Sequence, residues 1–533
     1  MRLNVVVRLA CLFALIAGAA GKSRAAEQPD FVILNGAEPE SLDPAIVSGQ
    51  PDIRAVLTLF EGLTRYHAQT GEPEPSLASH WEVSADGRIY TFHLHTNLTW
   101  STGEPISARD FAWSWLRVLE PATASDYVGT LFYVKNAEAF HYGRIKDANE
   151  VGIRALDDRT FRVELASPTA FFLSLCALPV LAVVPRDQIE SLGDQWIRAQ
   201  PLKTSGAYTL EFWRINDRIR IRRNPRYWDD VNTQNQLVDI LPITAATTAL
   251  NLYLRGQADI VWDKNLVPIN LFDALRRRPD FHTFDYLAAY FVRFNVARKP
   301  FDDARVRRAF ALSIDRRRIV GRITRGGEQP AETLVPLSAA NYLPAEGLKH
   351  NPTEARRLLA EAGYPGGDRF PAVSYLLNAG TSAGVDEKIA VELQAMWRDA
   401  LGVSVSLRQM EWKTYLAALS SLDYDLGRSS WIADYNDPNT FLDMFLSNSG
   451  NNRTGWKSPR YDGLITRANA TIDLRRRAEI FREAETFLLR EAVPVATIFS
   501  YTGFNCYDPT KITGIYDNPI DQHPINAIKR LRR

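Results

Sequence analysis

The chain has 533 residues, of which 46% are hydrophobic, 11% aromatic and 23% charged. This composition is typical of a soluble globular protein and excludes a disordered or fibrous one. The length suffices for about three domains of ~150 residues each. Sixty-three basic and 62 acidic residues give a formal net charge of +1, which argues against a surface whose main purpose is to bind nucleic acid or another polyanion.

The first 25 residues predict a cleaved secretory signal peptide. Arg2 and Arg8 precede an apolar run over Leu9–Ala20, and Ser23-Arg24-Ala25 forms a small-x-small cleavage site. A membrane anchor is the weaker interpretation, because about 20 apolar residues are needed to span a bilayer. Removal of residues 1–25 takes away four basic residues and no acidic one, so the formal net charge changes from +1 to −3. We therefore expect an exported, slightly acidic protein.

Strands and helices are predicted throughout the mature chain from hydrophobic periodicity. Residues 90–94 and 161–165 alternate apolar with polar side chains, as strands with one buried face do. Between them, Ser107 is suited to cap a helix with one apolar face. Residues 218–223, RIRIRR, alternate arginine with isoleucine, and residues 305–325 form a basic amphipathic helix candidate. Because the net charge is near zero, we expect the arginines of both segments to lie on solvated faces, with their charge balanced by acidic residues elsewhere.

The C-terminal half alternates helices with strands, which favours α/β architecture. Asn351 and Pro352 begin a helix that ends before Gly363. The remaining predictions, in chain order, are a helix over 386–401 ended by Gly402, a strand over 403–409, a helix over 473–491 and a strand over 495–501.

Motifs for catalysis and metal binding are scarce. The chain lacks HExxH and CxxC, and its Gly-Lys-Ser lies in the leader without the other glycine of a phosphate-binding loop. His93 and His95 lie two residues apart on one strand face, but we favour solvent-exposed histidines over a metal site there. Cys176 and Cys506 remain after cleavage, and either two buried thiols or one disulfide is compatible with their apolar surroundings.

One segment combines charges of both signs with aromatic residues. Residues 423–438, DYDLGRSSWIADYNDP, predict an extended run over 426–432 followed by a turn. Arg428, Trp431 and Asp434 then cluster where the strand gives way to the loop. A cation and an anion beside a tryptophan suit a zwitterionic ligand, with Asp434 for an ammonium and Arg428 for a carboxylate. The alternative is an internal salt bridge between Arg428 and Asp434.

The sequence resembles family 5 of the extracellular solute-binding proteins, the receptors of bacterial ABC importers for oligopeptides. The likeness runs through nearly the whole mature chain, and the order and spacing of its markers are specific. These markers are EPESLDP (38–44), LFEGLTRY (59–66), YTFHLHTNLTWSTGEPISARDFAWSW (90–115), SGAYTLEFW (205–213), RNPRYWDD (223–230), FNVARKPFDDARVRRAFALSIDR (294–316), EWKTYL (411–416) and WIADYNDP (431–438).

The resemblance implies an α/β fold of the type II periplasmic-binding-protein kind with three lobes. Two lobes close on the ligand, and the other is an insertion. With these boundaries, lobe I comprises residues 26–50, 183–285 and 501–533, lobe II residues 51–182, and lobe III residues 286–500. A peptide binds in extended form, with backbone pairing that supplies affinity without reading side chains.

The resemblance also implies roles for individual residues. Asp434 matches the aspartate that holds the peptide ammonium, and Arg428 matches an arginine that receives the carboxylate of a tripeptide. The other matches are the backbone of Ser430, Trp431 and Ile432, the backbone of Ser48, Gly49 and Gln50, and the aromatic pocket walls Tyr127, Trp412 and Trp431.

Several positions depart from the family pattern. Ser48 and Arg293 stand where relatives have an acid, and Thr324 and Asp386 stand where relatives have a lysine and a histidine for other peptide lengths. Leu419 and Ser420 replace an arginine and a histidine. We therefore expect a narrower range of ligand lengths, or a modified peptide such as a murein fragment.

The expected function is that of a non-enzymatic periplasmic receptor. It is a monomer that captures peptides and delivers them to an inner-membrane ABC permease with cytoplasmic ATPases, with no cofactor, metal or nucleic acid. The same fold binding a dipeptide, murein peptide, metal complex or sugar is the alternative, followed by an exported hydrolase. Cleaved fragments would indicate the hydrolase, whereas intact peptide released on denaturation would indicate a receptor.

Overall fold

The computed structural model describes residues 27–379 and 384–531, so the predicted signal peptide, residues 1–25, lies outside the described residues. The strands are β1 Phe31–Leu34, β2 Thr64–Tyr66, β3 Pro73–Pro75, β4 Ala78–Val83, β5 Ile89–Leu94, β6 Ile153–Ala155, β7 Thr160–Glu164, β8 Tyr208–Arg214, β9 Arg218–Arg223, β10 Leu237–Leu241, β11 Ile260–Val261, β12 Phe281–Phe294, β13 Gln329–Pro330, β14 Val373–Asn378, β15 Val405–Met410, β16 Leu426–Ile432, β17 Val495–Cys506, β18 Ile512–Thr513 and β19 Lys529–Arg530.

The α-helices are α1 Gln50–Leu59, α2 Ala108–Leu119, α3 Ala137–His141, α4 Phe172–Leu175, α5 Arg186–Leu192, α6 Ala246–Leu254, α7 Phe272–Leu275, α8 Ala304–Leu312, α9 Arg316–Ile319, α10 Pro352–Glu361, α11 Val385–Leu401, α12 Trp412–Ser420, α13 Asn439–Leu442, α14 Pro459–Asn469 and α15 Leu474–Thr486. Two π-helical turns, Val320–Thr324 and Phe487–Ala492, continue α9 and α15.

An 11-stranded mixed sheet runs through most of the molecule. Its strand order is β15-β14-β16-β12-β17-β11-β1-β10-β9-β8, and β13 pairs with β17 outside this path. β1 is parallel to β10 and β11, and β14 is parallel to β15 and β16. The long strands β12 and β17 pair antiparallel, with a register shift between Asp285 and Ala289. These two strands therefore connect the two ends of the sheet.

The central strands are covered on both faces. Every residue of β12 from Tyr286 to Phe294 is buried, so the strand is a continuous hydrophobic run instead of an alternating one. One core cluster packs Tyr290, Phe310 and Trp397 among helices α8, α10 and α11. A second packs Phe31 and Tyr208 beside α1.

A separate four-stranded sheet of order β4-β5-β7-β6 lies in the N-terminal third. The two predicted alternating strands are β5 and β7. The predicted helix is α2, which begins after Ser107, whose backbone N–H donates to Asp110 Oδ2 at 2.7 Å. Its apolar face, Phe111, Trp115 and Leu119, is fully buried. The strand and helix predictions for this region are confirmed, while the boundaries of the three lobes stay a prediction.

The predicted basic helix over residues 305–325 is interrupted. α8 ends at Leu312, and Asp315 caps α9 by accepting a hydrogen bond from the Arg318 backbone N–H at 3.1 Å. An aspartate favours caps over helix interiors because its side chain bonds to nearby backbone groups. The chain therefore makes two helices where amphipathic periodicity alone predicted one.

The arginine-rich strand is β9, and its charges are matched by acids as expected. Arg218 and Arg220 share the carboxylate of Asp239, at 2.8 and 2.6 Å. Asp239 is fully buried and Arg220 is buried, so this side of the strand is an internal ion-pair cluster and not a solvated face.

No helix in the described ranges, 27–379 and 384–531, is both long and apolar enough to cross a membrane. The two cysteines in those ranges are free and buried. Burial raises the pKa of the Cys506 thiol to about 12 and that of Cys176 also well above its ordinary value. Of the two possibilities that the sequence left open, the structure shows two thiols.

The burial of both thiols predicts their reactivity. We expect the mature protein to react with a thiol-specific chromogenic reagent negligibly when native and at two sites per chain in denaturant without reductant, since burial blocks access and suppresses the thiolate. A count of zero in non-reducing denaturant would show that Cys176 and Cys506 pair instead.

Candidate functional site

The candidate site is built at the C-terminal end of β16. The predicted extended run over 426–432 is confirmed as this strand. The chain leaves the strand after Ile432 and bends at Asp434, so the turn that was predicted to follow the strand is present. Asp437 and Pro438 complete the bend and lead into α13.

Part of β16 has an open edge. Asn295 N donates to Asp425 O and Ala433 N donates to Leu287 O. Because backbone groups alternate in direction along a strand, the odd-numbered residues of β16 face β12 and the even-numbered residues face the opposite edge.

Two of the four even-numbered residues of β16 have partners on that opposite edge. β14 pairs with β16 only at Leu426 and Gly427. The carbonyl of Arg428 accepts a hydrogen bond from the Tyr415 hydroxyl. In the described part of the chain, no strand pairs with Ser430 and Ile432 on this edge. Their backbone N–H and C=O groups therefore remain available to an added strand.

Asp434 is held by groups from distant parts of the chain. Its Oδ1 accepts a hydrogen bond from the Tyr127 hydroxyl at 3.0 Å, and its backbone carbonyl accepts one from the Tyr66 hydroxyl at 3.2 Å. Burial raises the pKa of Asp434 to about 6, although the Tyr127 hydrogen bond opposes the rise. The carboxylate is thus desolvated without a cationic partner among the described ion pairs.

A narrow cavity with a volume of ≈ 20 Å³ opens in front of this carboxylate; we call it the carboxylate cavity. Its walls are mostly apolar and come from α1, the 178–180 segment and the loop after β16. The lining residues are Val47, Gln50, Ile53, Leu57, Tyr66, Tyr127, Leu178, Pro179, Val180, Ala433, Asp434 and Gln522. The Oε1 atom of Gln50 is buried without a hydrogen-bond donor from the described residues.

Arg428 lies on the same strand but in a different environment. Its Nη2 is 3.4 Å from Asp386 Oδ2, and both side chains are buried. The guanidinium also lies over the Tyr290 ring, 5.1 Å from its centroid. The alternative of an internal salt bridge between Arg428 and Asp434 is wrong, because Arg428 pairs with Asp386 and the described ion pairs do not include Asp434, whose side chain accepts from the Tyr127 hydroxyl. The role of Arg428 as a carboxylate receptor stays a prediction.

The remaining predicted residues divide into two groups. Gln50 and Tyr127 join Asp434 around one cavity, and Trp431 lies beside them with its Nε1 3.4 Å from Thr440 Oγ1. Trp412 is 45% exposed at the start of α12 and stacks on Tyr415, so it belongs to the Arg428 side.

Ser48 and Gly49 precede α1 and do not line the carboxylate cavity. Gly49 caps the helix, where a Cβ would meet Asp52 Oδ2 at 2.4 Å. The pairing of the Ser48 and Gly49 backbone with a ligand stays a prediction.

Several residues of the site were not predicted from the sequence. Tyr66 and Gln522 reach the carboxylate cavity from positions 368 residues before and 88 residues after Asp434, and no local pattern marks them. Asp386 was noted only as a departure from the family pattern, and the structure makes it the partner of Arg428. Asp443, hydrogen-bonded by Tyr133 at 3.1 Å, is a second buried carboxyl whose pKa burial raises to about 7.

The two predicted histidines stack on different aromatic rings. His93 stacks on His80 with ring centroids 4.5 Å apart, and His95 stacks on Trp228 at 4.3 Å. Both are half-buried instead of solvent-exposed as expected. Within residues 27–379 and 384–531, no group of three or more His, Cys, Asp or Glu side chains is placed to hold a metal ion.

Comparison with known proteins identifies the family. A model for bacterial extracellular solute-binding proteins, family 5 Middle, matches residues 72–453. Periplasmic oligopeptide-binding protein OppA of Salmonella typhimurium is 36% identical over 494 residues, covering 91% of this chain and 89% of the relative. The chain therefore belongs to the family 5 bacterial extracellular solute-binding proteins.

Solved structures agree with this assignment. Haemophilus influenzae OppA in complex with RPPGFSPFR has a TM-score of 0.81 at 30% identity, covering 95% of this chain and 100% of that one. The Escherichia coli murein tripeptide binding protein MppA has a TM-score of 0.84 at 32% identity, covering 95% and 99%. The predicted family and the type II periplasmic-binding-protein fold class are confirmed, and the family is one of solute-binding proteins.

The raised pKa of Asp434 predicts a pH dependence of folding. The folded protein holds a proton at Asp434 below about pH 6, whereas the unfolded chain does so only near the ordinary value of 3.8. Protonation therefore favours the folded state. We expect the free energy of unfolding of the wild type, relative to Asp434→Asn, to rise as the pH falls from 7 to 4.

Urea unfolding at several pH values without added ligand measures this difference. A wild-type advantage that instead grew toward pH 7 would contradict it. Asp86→Asn is the control, because Asp86 is exposed and its pKa is lowered by its hydrogen bond with Ser84.

Proposed function

We propose that this protein is the peptide-capturing receptor of a bacterial ABC importer. The observation that carries the proposal is the juxtaposition of an open strand edge at Ser430 and Ile432 with the desolvated carboxylate of Asp434, at the mouth of a cavity. An extended peptide offers backbone groups to the edge and an α-ammonium to the carboxylate. The family relatives that are named for oligopeptide binding support the same ligand class.

The ammonium contact supplies most of the charge recognition. A buried carboxylate without a cation is costly, and an ammonium in hydrogen-bonding contact compensates that cost. Tyr127 orients the carboxylate by donating to one of its oxygens, which leaves the other to the ligand. Backbone pairing at the open edge then fixes the direction of the peptide.

At the other end, Arg428 is the proposed carboxylate receptor. Its existing pair with Asp386 means that a peptide carboxylate shares the guanidinium with an internal acid. Recognition at this end is therefore weaker than in a site with an unpaired arginine, which supports a restricted range of ligand lengths. Trp412 and Trp431 provide apolar walls on either side of the strand.

Closure of two lobes around the peptide follows from the proposed division of the chain, with lobe I formed by 26–50, 183–285 and 501–533, lobe II by 51–182, and lobe III by 286–500. β12 and β17 cross between lobes I and III in this division, and their register shift between Asp285 and Ala289 lies beside the proposed boundary. A local irregularity in two long strands is a suitable hinge.

The cellular role follows from the ligand and the family. We propose that the protein works in the periplasm as a monomer after removal of residues 1–25. It delivers peptide to an inner-membrane permease with cytoplasmic ATPases and has no enzymatic activity of its own. Peptide recovered intact from the purified protein supports this role, whereas fragments support an exported hydrolase.

Loss of the Asp434 charge tests the proposed ammonium contact. We expect Asp434→Asn to bind trialanine about 100-fold more weakly or worse by calorimetry at pH 7.5, because breaking a buried ion pair costs about 3–5 kcal/mol. Asp443→Asn is the matched control: its carboxyl is also buried and bonded by a tyrosine, but it lies outside the lining of the carboxylate cavity.

Equal affinities of wild type and Asp434→Asn would reject the ammonium assignment. A comparable loss in Asp443→Asn would show that the effect is a general one of removing buried charge in this region, and it would reject the specific role of Asp434.

Proline at the open edge tests backbone pairing. Ile432→Pro removes an N–H that faces away from β12, so the internal ladder keeps its bonds while an added strand loses one. We expect about tenfold weaker trialanine binding with a similar melting temperature, whereas Ile432→Val, which keeps the N–H, binds as the wild type does. Full affinity in a folded Ile432→Pro protein would contradict pairing at this residue.

A further inference from the structure

A second cavity, with a volume of ≈ 80 Å³, adjoins the carboxylate cavity. Leu57, Tyr66 and Gln522 line both cavities, so these three residues form a wall that the two cavities share. The second cavity extends between α1, the start of β8 and the C-terminal segment 522–526. We call it the donor cavity, after the groups described next.

Two buried side chains in its lining have donor nitrogens without an acceptor among the described residues. They are Arg54, through Nε and Nη1, and Trp262, through Nε1. Nδ1 of a third, His523, also lacks a partner, but Nε2 of that ring faces Asp521 Oδ1, which makes Nδ1 the acceptor nitrogen of the neutral ring. Arg54, Trp262 and His523 are only 7%, 3% and 5% exposed, respectively. A buried donor that lacks an acceptor loses its hydration without compensation, so these positions favour an oxygen-bearing group in the cavity.

The three side chains form one cluster. The Arg54 guanidinium carbon lies 5.7 Å from the Trp262 ring centroid, and the Trp262 and His523 ring centroids are 5.4 Å apart. Asp521 fixes two of them, because its Oδ2 accepts from Arg54 Nη2 at 2.7 Å and its Oδ1 lies 2.9 Å from His523 Nε2. Each carboxylate oxygen of Asp521 is thus already occupied by one partner.

The other nearby carboxylates do not satisfy the free donors. Asp263 Oδ2 is 3.9 Å from Arg54 Nη1, which is too long for a hydrogen bond. Glu61, also in the lining, accepts from the Tyr227 hydroxyl at 2.7 Å and from Trp228 Nε1 at 2.9 Å. The cavity therefore offers a ligand donors and a guanidinium while its own acids are engaged.

We propose that the donor cavity is a subsite for an acidic side chain on one of the first two residues of the bound peptide. This inference rests on the proposed function, because it takes the ammonium position at Asp434 as its origin. The first two side chains are those nearest to that position, and a carboxylate among them presents its oxygens to the free donors of Arg54 and Trp262. Hydrogen bonds to an ionised acceptor are stronger than those to a neutral one.

Matched tripeptides test the subsite by calorimetry. The pairs are Glu-Ala-Ala with Gln-Ala-Ala, Ala-Glu-Ala with Ala-Gln-Ala, and Ala-Ala-Glu with Ala-Ala-Gln, with trialanine as reference. We expect glutamate to bind about tenfold or more tightly than glutamine at the first or second position, and a ratio near one at the third. Glutamine keeps the size and hydrogen-bonding length of the side chain, so the ratio isolates the charge.

Two variants locate the effect. Trp262→Phe removes one donor and keeps the aromatic ring, and Arg54→Lys keeps the charge but removes the planar fork. We expect each to reduce the glutamate-to-glutamine ratio at least threefold. Trp228→Phe is the matched control, because the Nε1 of Trp228 already donates to Glu61 and the residue lies outside the cavity lining.

The outcomes separate this inference from the proposed function. Tripeptide binding with a ratio near one at both N-terminal positions overturns the subsite alone and leaves the cavity as a water-filled space. A preference that Trp262→Phe and Arg54→Lys leave unchanged also overturns it, since the acid is then bound elsewhere. Failure of every peptide to bind, trialanine included, overturns the proposed function and the subsite with it.

Discussion

The desolvated carboxylate of Asp434 is the constraint on which the site depends. Removal of a carboxylate from water is costly unless a cation or several donors replace the solvent. Here the side chain has one described hydrogen bond, from the neutral hydroxyl of Tyr127, and its pKa is raised to about 6 by burial. At neutral pH the site therefore holds an incompletely compensated negative charge, and an ammonium that enters the cavity stabilises both itself and the protein.

Parts of the chain that are remote in sequence maintain this arrangement. Tyr66 and Tyr127 reach Asp434 from the region of the four-stranded sheet, while Asp434 itself follows a strand of the large sheet. The continuous burial of β12 gives β16 a rigid partner on one edge. The open edge and the carboxylate are consequently fixed relative to each other by the sheet.

Local patterns made much of the fold predictable, but not the partners within the site. Periodicity located β5, β7, α2, α10 and β16, because each has one buried face or clear caps. It failed to divide residues 305–325, where the cap formed by Asp315 outweighs amphipathicity. Arg428 and Asp434 stood out as a charged pair in one segment, yet Arg428 binds Asp386, 42 positions earlier. Pairings of this kind depend on tertiary packing, which a single sequence does not reveal.

Arg428 on β16 and Asp434 after it therefore differ in the environment that they offer a ligand. Arg428 is already neutralised by Asp386, so a ligand carboxylate gains little beyond what the internal acid supplies and has to displace or share it. Asp434 has no such partner, and a ligand ammonium replaces lost solvation directly. We propose for that reason that selectivity is concentrated at the amino end of a bound peptide. Arg54 and Trp262 keep donors without an acceptor beside the cavity that adjoins this end. Arg54, like Arg428, already pairs with an internal acid, Asp521, so the proposed preference there depends on unsatisfied donors and not on an unpaired charge.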